Sequence, residues 1–186
     1  MTGTFVSDIE SLRRKAREHM DQGPITSAYG ADRERVIAVL NEALATEIVC
    51  WLRYQRHFHT ATGIHAAAVA AEFQQHATDE LGHADRLAVR IVQLQGAPNY
   101  DPADLTERSH AQYDASLDIP SMLREDLVAE RVAIASYSEI VRWLGDADPT
   151  TRRLFEDLLA VEEEHADDLL NLMEGLDGID RGNGHT

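Results

Sequence analysis

One cysteine and five prolines stand among 186 residues, and each scarcity removes possibilities. The lone Cys50 has no partner in the chain for a disulfide and cannot build a zinc cluster of several thiolates. It reads as a small buried apolar residue. With so few prolines, long stretches rich in Ala, Leu, Val, Glu and Arg run uninterrupted, which favours helix. No apolar run approaches the roughly 18 residues that a membrane-spanning helix needs. The first residues lack an apolar segment followed by a cleavage site, so a cytoplasmic protein with no membrane partner is expected. Positive charge is scarce too: 17 Lys and Arg against 33 Asp and Glu give a net charge of −16. Such a surface repels nucleic acid and attracts cations.

What is present suits one all-α domain, 44% hydrophobic. Residues 1–30 form an extension with a short amphipathic, locally basic helix around Leu12–Arg17, followed by Gly-Pro and Tyr-Gly loops. Its Arg13, Arg14, Lys15 and Arg17 read as a solvated helix in a subunit contact rather than a DNA-binding arm. Residues 31–175 form the main body, and 176–186 a loose tail. Within the body, Val36, Leu40, Ala43 and Leu44 set a helical period over 32–61, closed by Thr62-Gly63. A second helix spans 65–95 and stops at Gly96 and Pro98. The short joint between them demands an antiparallel hairpin. Residues 96–119, with Pro98, Asn99 and Pro102, show no sustained helical period and are long enough to cross the height of a bundle. A third helix covers 121–144, ended by Gly145. Asp148-Pro149 starts a fourth, which runs to about Glu174 and Gly175. The sum is a four-helix bundle of two antiparallel hairpins joined by a long crossover, plus a short N-terminal helix.

Six residues repeat a pattern along these helices. Glu47 is followed 33 residues later by Glu80, with His83 three beyond; Glu130 is followed 32 later by Glu162, with His165 three beyond. The i, i+3 spacing sets Glu and His on one face of a helix. Leu40, Ala43 and Tyr54 share a stripe with Glu47; Leu123, Leu127, Ile134 and Tyr137 share one with Glu130; and Phe155, Leu158, Leu159 and Leu169 share one with Glu162. Four carboxylates on apolar faces repel one another and are poorly solvated, and two divalent cations balance them. Carboxylates with one imidazole per metal suit iron or manganese, and zinc fits the same donors without redox chemistry. A single Glu-x-x-His is weak; two copies, each far behind another apolar-face Glu, are specific. Of the run Glu162, Glu163 and Glu164, only Glu162 has the right spacing to His165.

At these residues the chain resembles the bacterioferritin branch of the ferritin superfamily, in particular Dps-like miniferritins with a bacterioferritin-type site. Glu47, Tyr54, Asp79-Glu80-x-x-His83, Asp126 with Glu130, and Glu162-Glu163-x-His165 carry the likeness, which spans roughly residues 32–174. It implies a ferritin-like bundle and two iron ions per subunit, bridged by Glu80 and Glu162. Glu47 and Glu130 would be terminal ligands, with His83 on one ion and His165 on the other. Leu81 stands where bacterioferritin carries its haem-ligating methionine, so no haem is expected there. No cysteine pair and no rubredoxin-type domain accompanies the site.

Around this set, Tyr54 and Tyr137 face the metals, as hydrogen-bond partners of ligands, electron donors or core tyrosines. Asp79 and Asp126 are candidates to orient histidine ligands. His76 reads as a hydrogen-bonded core histidine, with a transient iron site as the alternative. His57, His59 and His65 read as surface, His185 as tail, and Trp51 and Trp143 as packing. The expected function is a ferroxidase that oxidises Fe(II) with O2 or H2O2, stores the product in a homo-oligomeric shell and limits oxidative damage. A dodecamer is favoured and a 24-mer second. The rivals are a non-storing di-iron or di-manganese peroxidase or catalase of rubrerythrin type, and a DNA-protecting miniferritin scaffold that the acidic charge disfavours.

Overall fold

The structure, a computed structural model, describes residues 8–63 and 66–182. Its helices are α1 (Ile9–Lys15), α2 (Arg33–Thr60), α3 (Ala66–Gln93), α4 (Leu105–Arg108), α5 (Ile119–Leu144) and α6 (Pro149–Gly182), with a 3-10 turn at Met20–Gln22. No strand occurs among the described residues, nor any helix long and apolar enough to cross a membrane. The helix α2 packs chiefly on α3 and α5 chiefly on α6, which gives the two hairpins.

Caps set where the long helices begin. Asp32 accepts from Arg35 N at 3.2 Å, Asp118 from Ser121 N at 2.9 Å and Asp148 from Thr151 N at 2.9 Å. Asp118 starts α5 two residues before the expected boundary, because Pro120 falls in the first turn, where its missing N–H is no loss. The fourth helix continues past Gly175 to Gly182. Glycine stops a helix when it adopts a left-handed conformation; Gly175 does not, and Leu172, Met173 and Leu176 still pack on the core around it. Gly96 closes α3 for a packing reason as well: a Cβ there would sit 2.8 Å from Ile37 Cγ2.

The crossover lies along α2. Asn99 N donates to Asn41 Oδ1, His110 N to Thr46 Oγ1, and Arg53 Nη1 to Gln112 O. Arg56 Nη2 reaches Ala115 O, so these bonds follow about 22 Å of helix. Leu105 of α4 packs into a small cluster with Ala45 and Val49. The main core is divided in two. One half centres on Leu40, Leu44, Leu87, Ile91, Phe155 and Leu158. The other centres on Tyr54, Phe73, Met122, Leu123 and Leu169. Trp143, expected in the packing, is about half exposed. The helix α1 has no buried residue, and its basic side chains face solvent.

Asp148 holds the start of α6 against α3 and the N-terminal extension. It accepts from Arg90 Nη2 at 3.0 Å, Tyr29 OH at 2.9 Å and Thr151 Oγ1 at 2.6 Å, and is 1% exposed. Burial alone would raise its pKa, but the bonds from Thr151 and Tyr29 and the charge of Arg90 hold it below the usual carboxylate value. Asp148→Ala strands the buried Arg90 guanidinium and uncaps α6, and should cost about 3–5 kcal/mol in urea denaturation. Asp148→Asn keeps the cap and should cost less.

Candidate metal centre

Between the two apolar halves lies a polar layer. Glu47 (α2), Glu80 and His83 (α3), Glu130 (α5), and Glu162 and His165 (α6) are all buried, at 1–4% exposure. Donor atoms of Glu47, Glu80, His83 and Glu162 lie within 4.8 Å of one another, and so do those of Glu80, Glu130, Glu162 and His165. The two groups share Glu80 and Glu162. The neighbouring Glu163 and Glu164 face solvent, so the helical phase of α6 selects Glu162.

The hairpins interlock through this layer. His83 Nδ1 lies 3.0 Å from Glu162 Oε1 and 3.4 Å from Glu47 Oε2. His165 Nδ1 lies 3.4 Å from Glu162 Oε2, 3.7 Å from Glu80 Oε1 and 3.9 Å from Glu130 Oε1. Tyr54 of α2 donates to Glu130 of α5, and Tyr137 of α5 donates to Glu47 of α2. Both tyrosines therefore face the layer, as expected, and each crosses to the opposite hairpin. Asp79 approaches the outer nitrogen of His165, Nε2, at 3.4 Å, which suits a group that orients that ring.

Despite these contacts, many donors here have no well-formed hydrogen bond. Glu80 Oε1, Glu130 Oε2, both Glu162 oxygens, His83 Nδ1 and His165 Nδ1 are buried without a hydrogen bond. Unpaired buried atoms of this kind are costly. They converge on two shared positions and are all oxygen or imidazole nitrogen, so the set fits two divalent cations with hard oxygen ligands. Without metal, burial and the charge of Glu162 push the Glu80 and Glu130 carboxyls well up. Burial opposes protonation of His83, but contact with Glu162 and Glu47 outweighs it and raises the imidazole to about 10. Burial acts upward on Glu162 as well, and His165 and His83 pull it down to about 2.

Some flanking residues differ from expectation. His57, expected at the surface, is fully buried, with Nδ1 2.7 Å from Asp126 Oδ2. Asp126 also accepts from Arg53 Nη2 at 2.9 Å. It thus anchors an ion network between α2 and α5 and contacts no histidine of the metal layer. The signal for His57 was its place three residues after Tyr54 and seven after Cys50, on the buried stripe of α2. His76 is buried as expected, but neither ring nitrogen has a hydrogen bond. Its ring stacks on that of His165 at 3.9 Å, and burial lowers its pKa to about 3. Cys50 is buried beside Ala111 and Ala129, and His59 is exposed. His65 and His185 lie outside the described residues.

The family model for the ferritin-like domain matches residues 37–179. The chain is 31% identical to a bacterioferritin of Mycobacterium avium over 152 residues, covering 77% of this chain and 87% of that protein. It is 30% identical to a DNA protection during starvation protein of Pyrococcus furiosus over 139 residues, covering 73% and 75%. The solved structure of a dodecameric thioferritin, the bacterioferritin-related protein of Bacteroides fragilis, superposes with a TM-score of 0.79 at 32% identity, over 82% of this chain and 92% of that one.

The raised carboxyls and His83 give the metal-free protein a defined pH response. A group whose pKa is raised on folding stabilises below its unfolded value and loses that contribution as pH climbs toward the folded value. Between about pH 7 and 8.5, unfolded glutamates are ionised and unfolded His76 keeps only a minor fraction of its charge, so Glu80, Glu130 and His83, joined toward the upper end by the buried Cys50 thiol, set the slope. Metal-free protein should therefore melt at lower temperature at pH 8.5 than at pH 7. Glu80→Gln should flatten that slope and raise the melting temperature at the upper end.

Proposed function

The chain belongs to the ferritin-like family, and on that premise we propose that it is a ferroxidase and iron-storage protein whose substrate is Fe(II). The observation that carries this reading is the pair of overlapping donor groups sharing Glu80 and Glu162, with their buried unpartnered atoms. In this reading Glu80 and Glu162, common to both donor groups, would be shared by two iron ions. Glu47 and His83 complete one site, Glu130 and His165 the other. Manganese or zinc would fit the same donors. Iron bound there supplies one electron per ion: two Fe(II) become two Fe(III), and H2O2 with two protons becomes two waters, or O2 with two protons becomes H2O2.

The protein's own part is to pre-arrange charge. Tyr54 and Tyr137 fix one oxygen each of Glu130 and Glu47, leaving the other carboxylate oxygen to face the cation. Asp79 orients His165 through the nitrogen remote from the layer. The apolar halves on either side keep bulk water from the carboxylates and strengthen their hold on cations. Storage requires a closed homo-oligomer. The likeness to a dodecameric bacterioferritin-related protein supports a twelve-subunit shell, with a 24-mer as the second choice. The net charge of −16 favours cations over DNA as cargo.

Anaerobic titration should show about two Fe(II) bound tightly per chain, oxidised quickly on addition of O2 or H2O2, with further iron then accumulating in a shell-sized particle. Glu130→Ala should abolish the fast phase. Tyr54→Phe should retain the site but weaken metal binding on the order of tenfold. Binding without accumulation, in a small particle, would replace storage with a peroxidase or catalase role.

A further inference from the structure

Among the described residues, the metal layer has a neighbouring donor cluster on one side. One turn beyond His165, between α3 and α6, Glu72, His76 and Asp168 present donor atoms within 4.8 Å of one another. His76 Nε2 lies 3.3 Å from Glu72 Oε1 and 3.9 Å from Asp168 Oδ2. His76 is 1% exposed and neither of its ring nitrogens has a hydrogen bond. The two carboxylates are partly exposed, at 33% and 43%. His76 also belongs to an inner group with Glu130 and His165. One imidazole thus has a carboxylate pair on its outer side and proposed iron ligands on its inner side.

The two hairpins are related by a shift of 82 residues, which carries Glu80 to Glu162 and His83 to His165. The same shift carries Glu72 to Leu154, His76 to Leu158, and Arg86 to Asp168. The position corresponding to this cluster, beside His83, therefore holds two leucines and an arginine, and Arg86 there is paired with Asp157 at 2.9 Å. Acid and imidazole collect beside His165, while hydrocarbon and a cation collect beside His83.

We propose that Glu72, His76 and Asp168 form a third divalent-cation site, half open to solvent, that holds an ion before it passes His76 to the buried pair. The proposal rests on the proposed di-iron reading only for the ion's destination. Two carboxylates and one imidazole suit Zn(II), a redox-inert probe. Zn(II) titration of the metal-free oligomer by calorimetry, with anomalous diffraction from the same preparation, tests it. Wild type should take up about three Zn(II) per chain, the third more weakly, with an anomalous peak among Glu72, His76 and Asp168. E72Q/D168N, altered at two partly exposed positions, should take up about two and lose that peak, and Fe(II) at limiting concentration should be oxidised several-fold more slowly. A wild type without the outer peak, a double variant that keeps it, or an unchanged oxidation rate overturns the proposal. Glu130→Ala separates the two readings: if the buried pair is misassigned, its ions are unaffected there, whereas the outer peak depends on neither result.

Discussion

Four carboxylates enclosed by four helices are the constraint on which this fold turns. Glu47, Glu80, Glu130 and Glu162 are each 1% exposed and crowd a space a few ångströms across. No apolar packing compensates such a cluster, and the two histidines and two tyrosines within reach leave several oxygens unpartnered. Without cations the layer settles by holding Glu80 and Glu130 toward their neutral forms and His83 toward its charged form. Cations would release those protons and let every carboxylate ionise. Stability and metal affinity are opposed in this layer, and the hydrocarbon above and below it must carry the metal-free fold.

That opposition explains the division of the core. Leu40, Leu44, Leu87, Ile91, Phe155 and Leu158 close one end, and Phe73, Met122, Leu123 and Leu169 the other. Both lie on the helices that bear the ligands, so packing fixes the rotation of each helix and hence the direction of each ligand. The hydrogen bonds across the layer run between hairpins: Tyr54 to Glu130 and Tyr137 to Glu47. Neither hairpin holds a complete donor group, since the first needs Glu162 and the second needs Glu80. The layer forms only when the hairpins dock, and the crossover strapped to α2 fixes which faces meet.

The bundle was legible because its signals are periodic and local. Apolar spacing, Gly145, and the Asp148-Pro149 start each act within one turn of helix. The six-residue layer was legible because ionisable groups stood on apolar stripes where they are otherwise unfavourable. Less legible were features that depend on contacts between elements. His57 looks like any polar residue near a helix end, and only Asp126 on another helix makes its burial tolerable. Gly175 looks like a stop, and only the packing of Leu172, Met173 and Leu176 carries the helix through it. Trp143 has the composition of a core residue, yet its place near the end of α5 leaves it half exposed.

The approximate twofold repeat of the hairpins is kept where ligands are concerned and broken beside them. Duplicated Glu and Glu-x-x-His elements would give each of two cations the same donors, as the proposed oxidation of both together requires. A symmetric surround would give a cation two equivalent approaches, and each would open the apolar core to water. With Leu154 and Leu158 on one side and Glu72 and His76 on the other, only one side carries that cost. In this seam the rings of His76 and His165 stack, with 3.9 Å between their centroids. On the proposed route, half of the repeat would remain an apolar wall, and the cost of metal access would fall on one seam between α3 and α6.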